Sequence, residues 1–142
     1  MPKPETHFID ANIPMYAAGG DHPLKSPCVA ILEAAAKGKL EVATDAEVLQ
    51  EILHRYTALN QRIRALEICR LFTEVVPNIF PITSSIVAAA LEIHRKTPVL
   101  QARDSVHTAV MLSQNIRRII SADRHFDAVP GIVRIDPLKW RG

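Results

Sequence analysis

Apolar residues in this chain fall into two patterns: short continuous runs, and longer segments in which apolar residues recur every three or four positions. The runs have the length of strands that are buried on both faces, and the longer segments have the spacing of amphipathic helices. Because runs and segments alternate, the pattern predicts an α/β fold with a parallel sheet and right-handed helical crossovers. The predicted strands span residues 6–10, 40–43, 79–80, 118–122 and 131–135.

Residues with capping and turn preferences mark where the helices should begin and end. Residues 13–23 hold two adjacent glycines and two prolines, which predicts a loop or an interrupted helix start. A helix that ends near Gly38 should follow, and Thr97 and Pro98 should end a later, alanine-rich helix. The residues expected to cap or open helices are Ser26, either Thr44 or Asp45, Asn60 and Asp104. Thr83 and Ser84 precede the alanine-rich segment.

Four of the apolar runs end on an aspartate, namely Asp10, Asp45, Asp123 and Asp136. In a parallel sheet these acids would emerge at the carboxyl ends of the strands, where open α/β sheets bind their ligands. Carboxylates that lie close together cannot all stay ionised without a cation. The pattern therefore predicts a metal site built from acids, and such sites often act on phosphates.

Each acid also has a purely structural explanation, and the residues alone leave several of these open. Asp10 could cap the following helix, and Asp45 is best explained as an N-cap. Asp104 would lie in the first turn of a helix, where the macrodipole favours any acid. Glu51 and Glu47 both fall outside the apolar face of their helix, so periodicity cannot choose between them. A solvated helix face is the ordinary alternative for either glutamate.

Length, charge and composition narrow the classes of protein that remain. The 142 residues suffice for one domain with a sizeable core, and we expect a single domain over residues 1–142. The formal net charge is only +2, so nucleic-acid binding would need a local basic patch. The sequence has no leader-like segment and no apolar run of about 20 residues, so we expect a cytoplasmic protein without a membrane segment. Cys28 and Cys69 are expected to be reduced, buried thiols.

Four segments, in this order, resemble the PIN-domain family: residues 8–12, 48–52, 103–109 and 119–127. The resemblance implies a three-layer α/β/α PIN-like domain with a central, mostly parallel β-sheet, acting as a divalent-metal-dependent ribonuclease. Members of this length are mostly VapC-like toxins of type II toxin–antitoxin pairs, which implies RNA as substrate, a VapB-like antitoxin as partner and a homodimer. A non-toxin RNA-processing nuclease, or a catalytically silent scaffold that binds RNA or protein, would look similar in sequence.

The resemblance also implies roles for individual residues. The acidic quartet that would hold the metal and carry the catalysis corresponds to Asp10, Glu51, Asp104 and Asp123. The residues expected to support this quartet are Asn12, Ser121 and Asp127. The choice of Glu51 over Glu47 rests on the resemblance. His107 lies one helical turn after Asp104 and is interpreted as a structural or supporting residue, not as a ligand.

Carboxylate ligands suit Mg²⁺ or Mn²⁺, and the sequence does not distinguish between them. The resemblance implies that an activated water attacks an RNA phosphodiester and leaves a 5′-phosphate and a 3′-hydroxyl. Basic residues near the predicted site segments are candidates for contacts with RNA phosphates: Lys25, Arg55, Arg103, Arg124 and His125. Arg103 could instead pair with its neighbour Asp104.

Overall fold

The structure is a computed structural model that describes residues 5–142. Its strands are β1 (His7–Ile9), β2 (Val42–Asp45), β3 (Ile79–Phe80), β4 (Arg118–Ile120) and β5 (Val133–Ile135). Within the described residues these strands form one parallel sheet in the order β3–β2–β1–β4–β5. The predicted parallel sheet is confirmed, with β3 at an edge. β4 and β5 are shorter than the predicted runs, and β2 is shifted by two residues towards the C-terminus.

Six helices of the described chain flank the sheet: α1 (Asn12–Ala18), α2 (Lys25–Ala36), α3 (Ala46–Ala58), α4 (Arg62–Val75), α5 (Ser84–Lys96) and α6 (Ala102–Ser113). Consecutive helices pack as pairs, α1 against α2, α3 against α4 and α5 against α6. Short 3₁₀ helices follow at Arg124–Ala128 and Pro137–Lys139. The architecture is the predicted three-layer α/β/α fold.

The two central strands are buried on both faces. Phe8 and Ile9 of β1 and Ile119 and Ile120 of β4 have no exposed surface. Helices cover both sides of the sheet, so successive residues of a strand can all be apolar. Burial of each such side chain contributes about 1.5–3 kcal/mol to folding. This is why the strands appear in the sequence as continuous apolar runs and not as alternating ones.

The order of the strands places a crevice at the carboxyl end of β1. From β1 the chain crosses first to β2 on one side, and it later returns past β1 to β4 on the other side. In open α/β sheets such a reversal separates the connections and leaves room for a ligand. The polar residues that follow β1, end β2 and follow β4 meet at this edge: Asp10, Asp45 and Ser121.

Of the two alternatives for residues 13–23, the interrupted helix start is confirmed and the loop is wrong, because Asn12–Ala18 form α1. Pro14 lies in the first turn of this helix, where a backbone N–H would have no intrahelical partner and proline is therefore tolerated. Ile13 and Pro14 are buried. A helix this short is marginal by itself and depends on tertiary packing of this kind. The helix then ends at Gly19, so the glycine pair does interrupt the chain.

Two predicted helix caps are also wrong. Helix α2 begins at Lys25 with Leu24 in the N-cap position, so Ser26 lies inside the helix. Gln61 precedes α4, and Asn60 adopts the left-handed conformation with a φ of 62° in the turn before it. Asparagine tolerates this conformation better than most residues, which explains its place in the turn.

The predicted cap at Asp45 and the helix end at Gly38 are confirmed, whereas α6 begins at Ala102, two residues before the predicted Asp104. The side chains of Asp45 and Thr83 accept hydrogen bonds from the backbone at the starts of α3 and α5. Gly38 adopts a φ of 72° after α2, as expected for a residue that ends a helix. Both cysteines are free, and burial raises the pKa of the Cys28 thiol to about 12. Across residues 5–142 the helices are too short or too polar to cross a membrane.

Candidate metal centre

The four acids of the predicted quartet come from four different elements that end or begin at the carboxyl edge of the sheet. Asp10 follows β1, Glu51 lies on α3, Asp104 lies in the first turn of α6, and Asp123 follows β4. Ligand atoms of Asp10 and Glu51 lie within 4.8 Å of each other, as do those of Asp104 and Asp123, and the Ser121 hydroxyl contacts both the Asp10 carboxylate and the Asp123 backbone. The structure therefore brings the quartet together.

One part of the cluster, called here the deep half, consists of Asp10, Glu51 and His107 with Asp45 behind the histidine. One ligand atom each of Asp10, Glu51 and His107 lies within 4.8 Å of the other two. The Nε2 atom of His107 is 3.9 Å from Asp10 Oδ1 and 3.8 Å from Glu51 Oε1. Glu47, the alternative that periodicity left open, instead makes an ion pair of 3.7 Å with Arg103.

The carboxylate of Asp10 is held by three donors. Oδ1 accepts a hydrogen bond of 2.8 Å from the Ala11 backbone N–H, and Oδ2 accepts one of 2.6 Å from the Ser121 hydroxyl. The Asn12 amide donates a further bond of 3.2 Å to Oδ2. Ser121 Oγ also accepts a bond of 2.9 Å from the Asp123 N–H. Asn12 and Ser121 thus lie where the resemblance predicts supporting residues.

The other part, called here the open half, consists of Asp104, Asp123 and His125. Ligand atoms of these three side chains also lie within 4.8 Å of one another. Asp104 Oδ2 accepts a hydrogen bond of 3.2 Å from the Gln101 N–H at the start of α6. Asp123 Oδ1 caps the following 3₁₀ helix through the His125 N–H at 2.9 Å. Asp104 is buried, whereas the side chains of Asp123 and His125 are 29% and 47% exposed, so this half reaches the solvent through Asp123 and His125.

The electrostatics of the cluster favour a divalent cation. Burial raises the pKa of Asp10, and the charge of Glu51 adds to this effect. Burial and the charge of Asp123 raise the pKa of Asp104 to about 6. Such shifts mean that the ionised carboxylates repel one another in a partly desolvated place, which a bound cation would relieve. Among residues 5–142 the buried Nε2 of His107 has no hydrogen-bond partner, so the donor set fits a divalent ion.

Behind the deep half lies a buried pair that the sequence interpretation missed. His107 Nδ1 is 2.8 Å from Asp45 Oδ2, and neither side chain has exposed surface. Asp45 is the predicted N-cap, since its Oδ1 accepts a bond of 3.0 Å from Val48 N–H, but it has this second role as well. Burial alone lowers the pKa of His107, yet the hydrogen bond with Asp45 and the nearby carboxylates of Glu51 and Asp10 outweigh burial and raise it well above 6.5. The available signal was the acid at the end of β2, the strand next to β1.

Asp127 does not join either half of the cluster in the described structure. Its carboxylate accepts two hydrogen bonds, of 2.9 and 3.3 Å, from the Arg134 guanidinium. Arg134 also donates a bond of 3.0 Å to the Ser121 carbonyl. Asp127 is therefore linked to the centre through Arg134 and the backbone that carries Ser121. Arg134 has no motif of its own, and nothing in the sequence singled it out.

The basic residues predicted to contact RNA lie in different settings. Arg55 lines a cleft with Asn12 and Glu51, and Arg124 and His125 are exposed beside Asp123. Arg103 pairs with Glu47 and not with Asp104. Lys25 donates a hydrogen bond to the Gly19 carbonyl in the connection between α1 and α2.

A parallel α/β domain whose central strands end in braced carboxylates has the architecture of a metal centre built from acids. The family described as PIN domain matches residues 7–132. The chain is 42% identical to Ribonuclease VapC13 of Mycobacterium tuberculosis over 128 residues, which cover 90% of this chain and 98% of that protein. It is 35% identical to Ribonuclease VapC23 of the same organism over 119 residues, which cover 82% and 91%. The chain belongs to the PIN domain family.

Two solved structures share the fold. One is VapBC2 from Rickettsia felis bound to a DNA fragment from the promoter, with a TM-score of 0.72 and 16% identity. The other is a toxin–antitoxin complex from Klebsiella pneumoniae, with a TM-score of 0.66 and 18% identity. Each likeness covers 92% of this chain and 97% of the other chain. At these identities the likeness establishes the three-layer fold.

Proposed function

We propose that this chain is a divalent-metal-dependent ribonuclease that hydrolyses RNA phosphodiester bonds, and that it is the toxin of a type II toxin–antitoxin pair. The proposal rests above all on the meeting of Asp10, Glu51, Asp104 and Asp123 at one edge of the sheet. Relatives that align with nine-tenths of the chain are named VapC ribonucleases. In this proposal the catalytic unit is a single domain over residues 1–142.

The four acids would hold Mg²⁺ or Mn²⁺, because both ions bind carboxylate oxygens. When bound, such an ion supplies positive charge to the phosphate oxygens and makes a water more acidic. The chain's own part is to fix the donors. Ser121 and Asn12 hold Asp10 Oδ2, and the Ala11 N–H holds Oδ1. Glu51, only partly buried, would orient the attacking water.

RNA would approach from the open half, where Asp123 is partly exposed and His125 is exposed. Arg124 and His125 are exposed next to Asp123, and Arg55 lies in the cleft beside Glu51. These cations lie around a cluster that is itself acidic, so they would attract phosphates that the carboxylates alone would repel. Contacts of this kind position a backbone without reading its sequence.

The test of the nuclease function is metal-dependent cleavage of RNA. Purified protein should cleave RNA with Mg²⁺ or Mn²⁺, and EDTA should abolish cleavage. Asp104→Asn should cleave RNA much more slowly, because it removes a charge and a donor from the cluster. The matched control is Asp136→Asn, which changes another aspartate near a strand end that caps Leu138 N–H at 2.9 Å outside the cluster. Cleavage that survives EDTA, or that Asp104→Asn leaves intact, would exclude the proposed centre and favour a silent scaffold.

The toxin assignment needs a partner. The structures that share the fold are a VapBC2 assembly and a toxin–antitoxin complex, which supports a small VapB-like antitoxin as the partner of this chain. A basic side chain of that antitoxin would compensate the acids of the centre. Expression of the chain alone should arrest growth, and co-expression with the product of the adjoining reading frame should restore it. Cleavage without growth arrest would favour a non-toxin RNA-processing nuclease instead.

We also propose that the chain forms a homodimer, by analogy with short α/β domains of this type. Helix α4 exposes Ile63 and Leu66, and α5 exposes Leu91. Exposed apolar residues of this size are common on surfaces that pair with another chain. Light scattering coupled to size-exclusion chromatography measures the mass directly, and a monomer at high micromolar concentration would contradict the dimer.

A further inference from the structure

We propose that His107 Nε2 is a ligand of the divalent ion, together with Asp10 and Glu51, and that this nitrogen makes the centre prefer Mn²⁺ to Mg²⁺. The inference rests on the proposed function, because it names a further ligand of the same centre. It departs from the interpretation of His107 as a structural residue. Three observations on the deep half carry it, and the chemistry of the ions adds a fourth consideration.

The first observation is that His107 Nε2 is buried without a partner. Within residues 5–142 no hydrogen bond reaches this atom, and the whole side chain has no exposed surface. The carboxylate oxygens of Asp10 and Glu51, at 3.9 and 3.8 Å, are too distant for hydrogen bonds. A buried polar atom without a partner is unfavourable and calls for an explanation such as an ion.

The second observation is the spacing of the donors. Ligand atoms that each lie about 2.1 Å from one ion can be no more than about 4.2 Å apart. The two distances from Nε2, 3.9 Å to Asp10 and 3.8 Å to Glu51, satisfy this limit. The ligand atoms of Asp10 and Glu51 lie within 4.8 Å of each other, so an ion between the three atoms would contact all of them after the side chains adjust.

The third observation is that Asp45 fixes the orientation of the ring. The 2.8 Å contact between His107 Nδ1 and Asp45 Oδ2 requires a proton on Nδ1, because the carboxylate can only accept. The raised pKa of His107 means that Nε2 also carries a proton in the metal-free protein. A binding ion would displace that proton to solvent, which leaves the Nε2 lone pair directed towards the carboxylates. Asp45 is itself held by Val48 N–H, and Phe8 packs against the ring with centroids 5.4 Å apart. A carboxylate behind a ligating histidine is a common support in metal sites.

The fourth consideration is the chemistry of the ions. Mg²⁺ has a strong preference for oxygen ligands, whereas first-row transition ions also accept imidazole nitrogen. A site with two carboxylates and one imidazole should therefore discriminate against Mg²⁺. Mn²⁺ is the suitable probe because it binds both oxygen and nitrogen donors and its unpaired electrons report on coordinated nitrogen.

The experiment is pulsed electron paramagnetic resonance of the Mn²⁺-loaded protein, which detects the coupling of the ion to a ligating ¹⁴N nucleus. The wild-type protein should show one imidazole coupling. His107→Asn should lose it, since the asparagine amide can still donate to Asp45 but has no atom in the place of Nε2. His125→Asn removes the exposed histidine of the open half and should keep the coupling.

A second variant tests the positioning role of Asp45. Asp45→Asn keeps an oxygen that can accept from Val48 N–H, so the helix cap survives. Its amide would donate towards Nδ1 and thus favour the tautomer with the proton on Nε2, which cannot ligate. The nitrogen coupling should disappear, and calorimetric titration should show Mn²⁺ affinity reduced by about 10- to 100-fold, with Mg²⁺ affinity changed much less. A merely structural role for Asp45 would weaken both ions alike.

The outcomes separate this inference from the nuclease proposal. Mn²⁺ that binds and supports RNA cleavage without any nitrogen coupling in the wild-type protein overturns the inference and leaves the proposed function intact. A coupling that His125→Asn removes and His107→Asn retains overturns it as well. If the wild-type protein binds no Mn²⁺ at all, the inference and the proposed metal centre both fail.

Discussion

The two halves of the cluster use the same residue types, two carboxylates and a histidine, but in very different surroundings. In the deep half Asp10 is 4% exposed, His107 is fully buried, and three donors hold the Asp10 carboxylate. In the open half Asp104 and Asp123 rely on helix-capping bonds, and His125 is largely exposed. The deep half is centred on side chains buried in the core, whereas the open half is buried at Asp104 and reaches the surface at Asp123 and His125.

This difference follows from the fold. The residues of the deep half lie on α3 and α6 and at the ends of β1 and β2, and the strands β1 and β4 at the centre of the sheet are buried. The open half lies on the first turn of α6 and on the turn after β4. A preorganised centre requires a rigid part that fixes the ion and an accessible part that admits the substrate. Ser121 joins them, because its hydroxyl contacts both Asp10 and the Asp123 backbone.

The largest expected effect comes from breaking the deep half at Asp10. Asp10→Asn keeps the size of the side chain but removes the charge at the centre of the cluster. We expect RNA cleavage to fall by at least about 100-fold, as for other lost electrostatic or supporting groups. Initial rates with Mg²⁺ and with Mn²⁺ measure the effect, and circular dichroism checks that the fold survives. Undiminished cleavage would exclude Asp10 as an essential ligand. The deep half would then not be the part of the cluster that fixes the ion.

Ser121→Ala should separate the two halves without removing a charge. The hydroxyl donates to Asp10 Oδ2 at 2.6 Å and accepts from Asp123 N–H at 2.9 Å, so the alanine leaves both groups without this partner. Loss of such a support typically reduces metal affinity or activity by about 10- to 100-fold. Ser113→Ala is the matched control, since Ser113 donates a bond of 2.8 Å to Val110 at the end of α6. Equal behaviour of the two variants would show that the bridge has no role.

Asp104 should make the metal-free protein sensitive to pH. Its pKa rises from 3.8 to about 6 in the folded state, through burial and the charge of Asp123. The folded state therefore binds this proton more tightly, and the resulting stability is present in full below about pH 4 and is lost as the pH rises through 6. Because the group is not fully desolvated, we discount the shift to a loss on the order of 1–2 kcal/mol between pH 4 and 7.

Asp104→Asn should remove this pH dependence and stabilise the metal-free protein at pH 7 by a similar amount. The asparagine oxygen can still accept the bond from Gln101 N–H, so the start of α6 is preserved. Urea denaturation in EDTA at pH 4, 5, 6 and 7 measures the free energy of unfolding, with Asp136→Asn as the control. Parallel loss of stability in wild type and Asp104→Asn over this range would contradict the assignment.

The fold and the open half could be predicted largely from local sequence. Short apolar runs that end on polar residues indicate the strands and the carboxyl edge of the sheet. Ser121, Asp123 and Asp127 lie in one short segment, so the sequence pattern that points to Asp123 also points to the other two. The predicted helix boundaries were wrong where tertiary contacts override the local preferences of the residues. The short helix α1 forms because Ile13 and Pro14 are buried, although the glycines nearby indicate a loop.

The deep half was harder to predict because its contacts join distant parts of the chain. His107 and Asp45 are 62 positions apart, and only the sheet order brings the end of β2 under the face of α6. The choice of Glu51 over Glu47 likewise depends on which turn of α3 faces β1, which a hydrophobic pattern does not encode. The spacing of apolar residues predicts which face of a helix is buried. It does not predict which residues of other elements lie next to the polar face.

The smallest expected effect is a loss of RNA binding when Arg103, which adjoins Asp104 of the open half, is replaced. Its guanidinium lies 3.7 Å from Glu47 and is 41% exposed, so it can exchange this weak ion pair for an RNA phosphate. Arg103→Ala should weaken RNA binding by about 2- to 5-fold, as expected for a contact worth less than about 1 kcal/mol. The loss should be larger at low salt, because a phosphate contact is screened by counterions.

Fluorescence anisotropy with labelled RNA measures this binding in an Asp10→Asn background, which prevents cleavage. Arg70→Ala is the matched control, because Arg70 pairs with Glu74 at 3.0 Å on α4 and is exposed outside the acidic cluster. Mg²⁺ affinity, measured in the protein with Asp10 intact, should not change, since Arg103 contacts Glu47 and none of the four acids. A loss of metal affinity with RNA binding intact would contradict this prediction. It would show that Arg103 supports the metal centre and does not contact RNA.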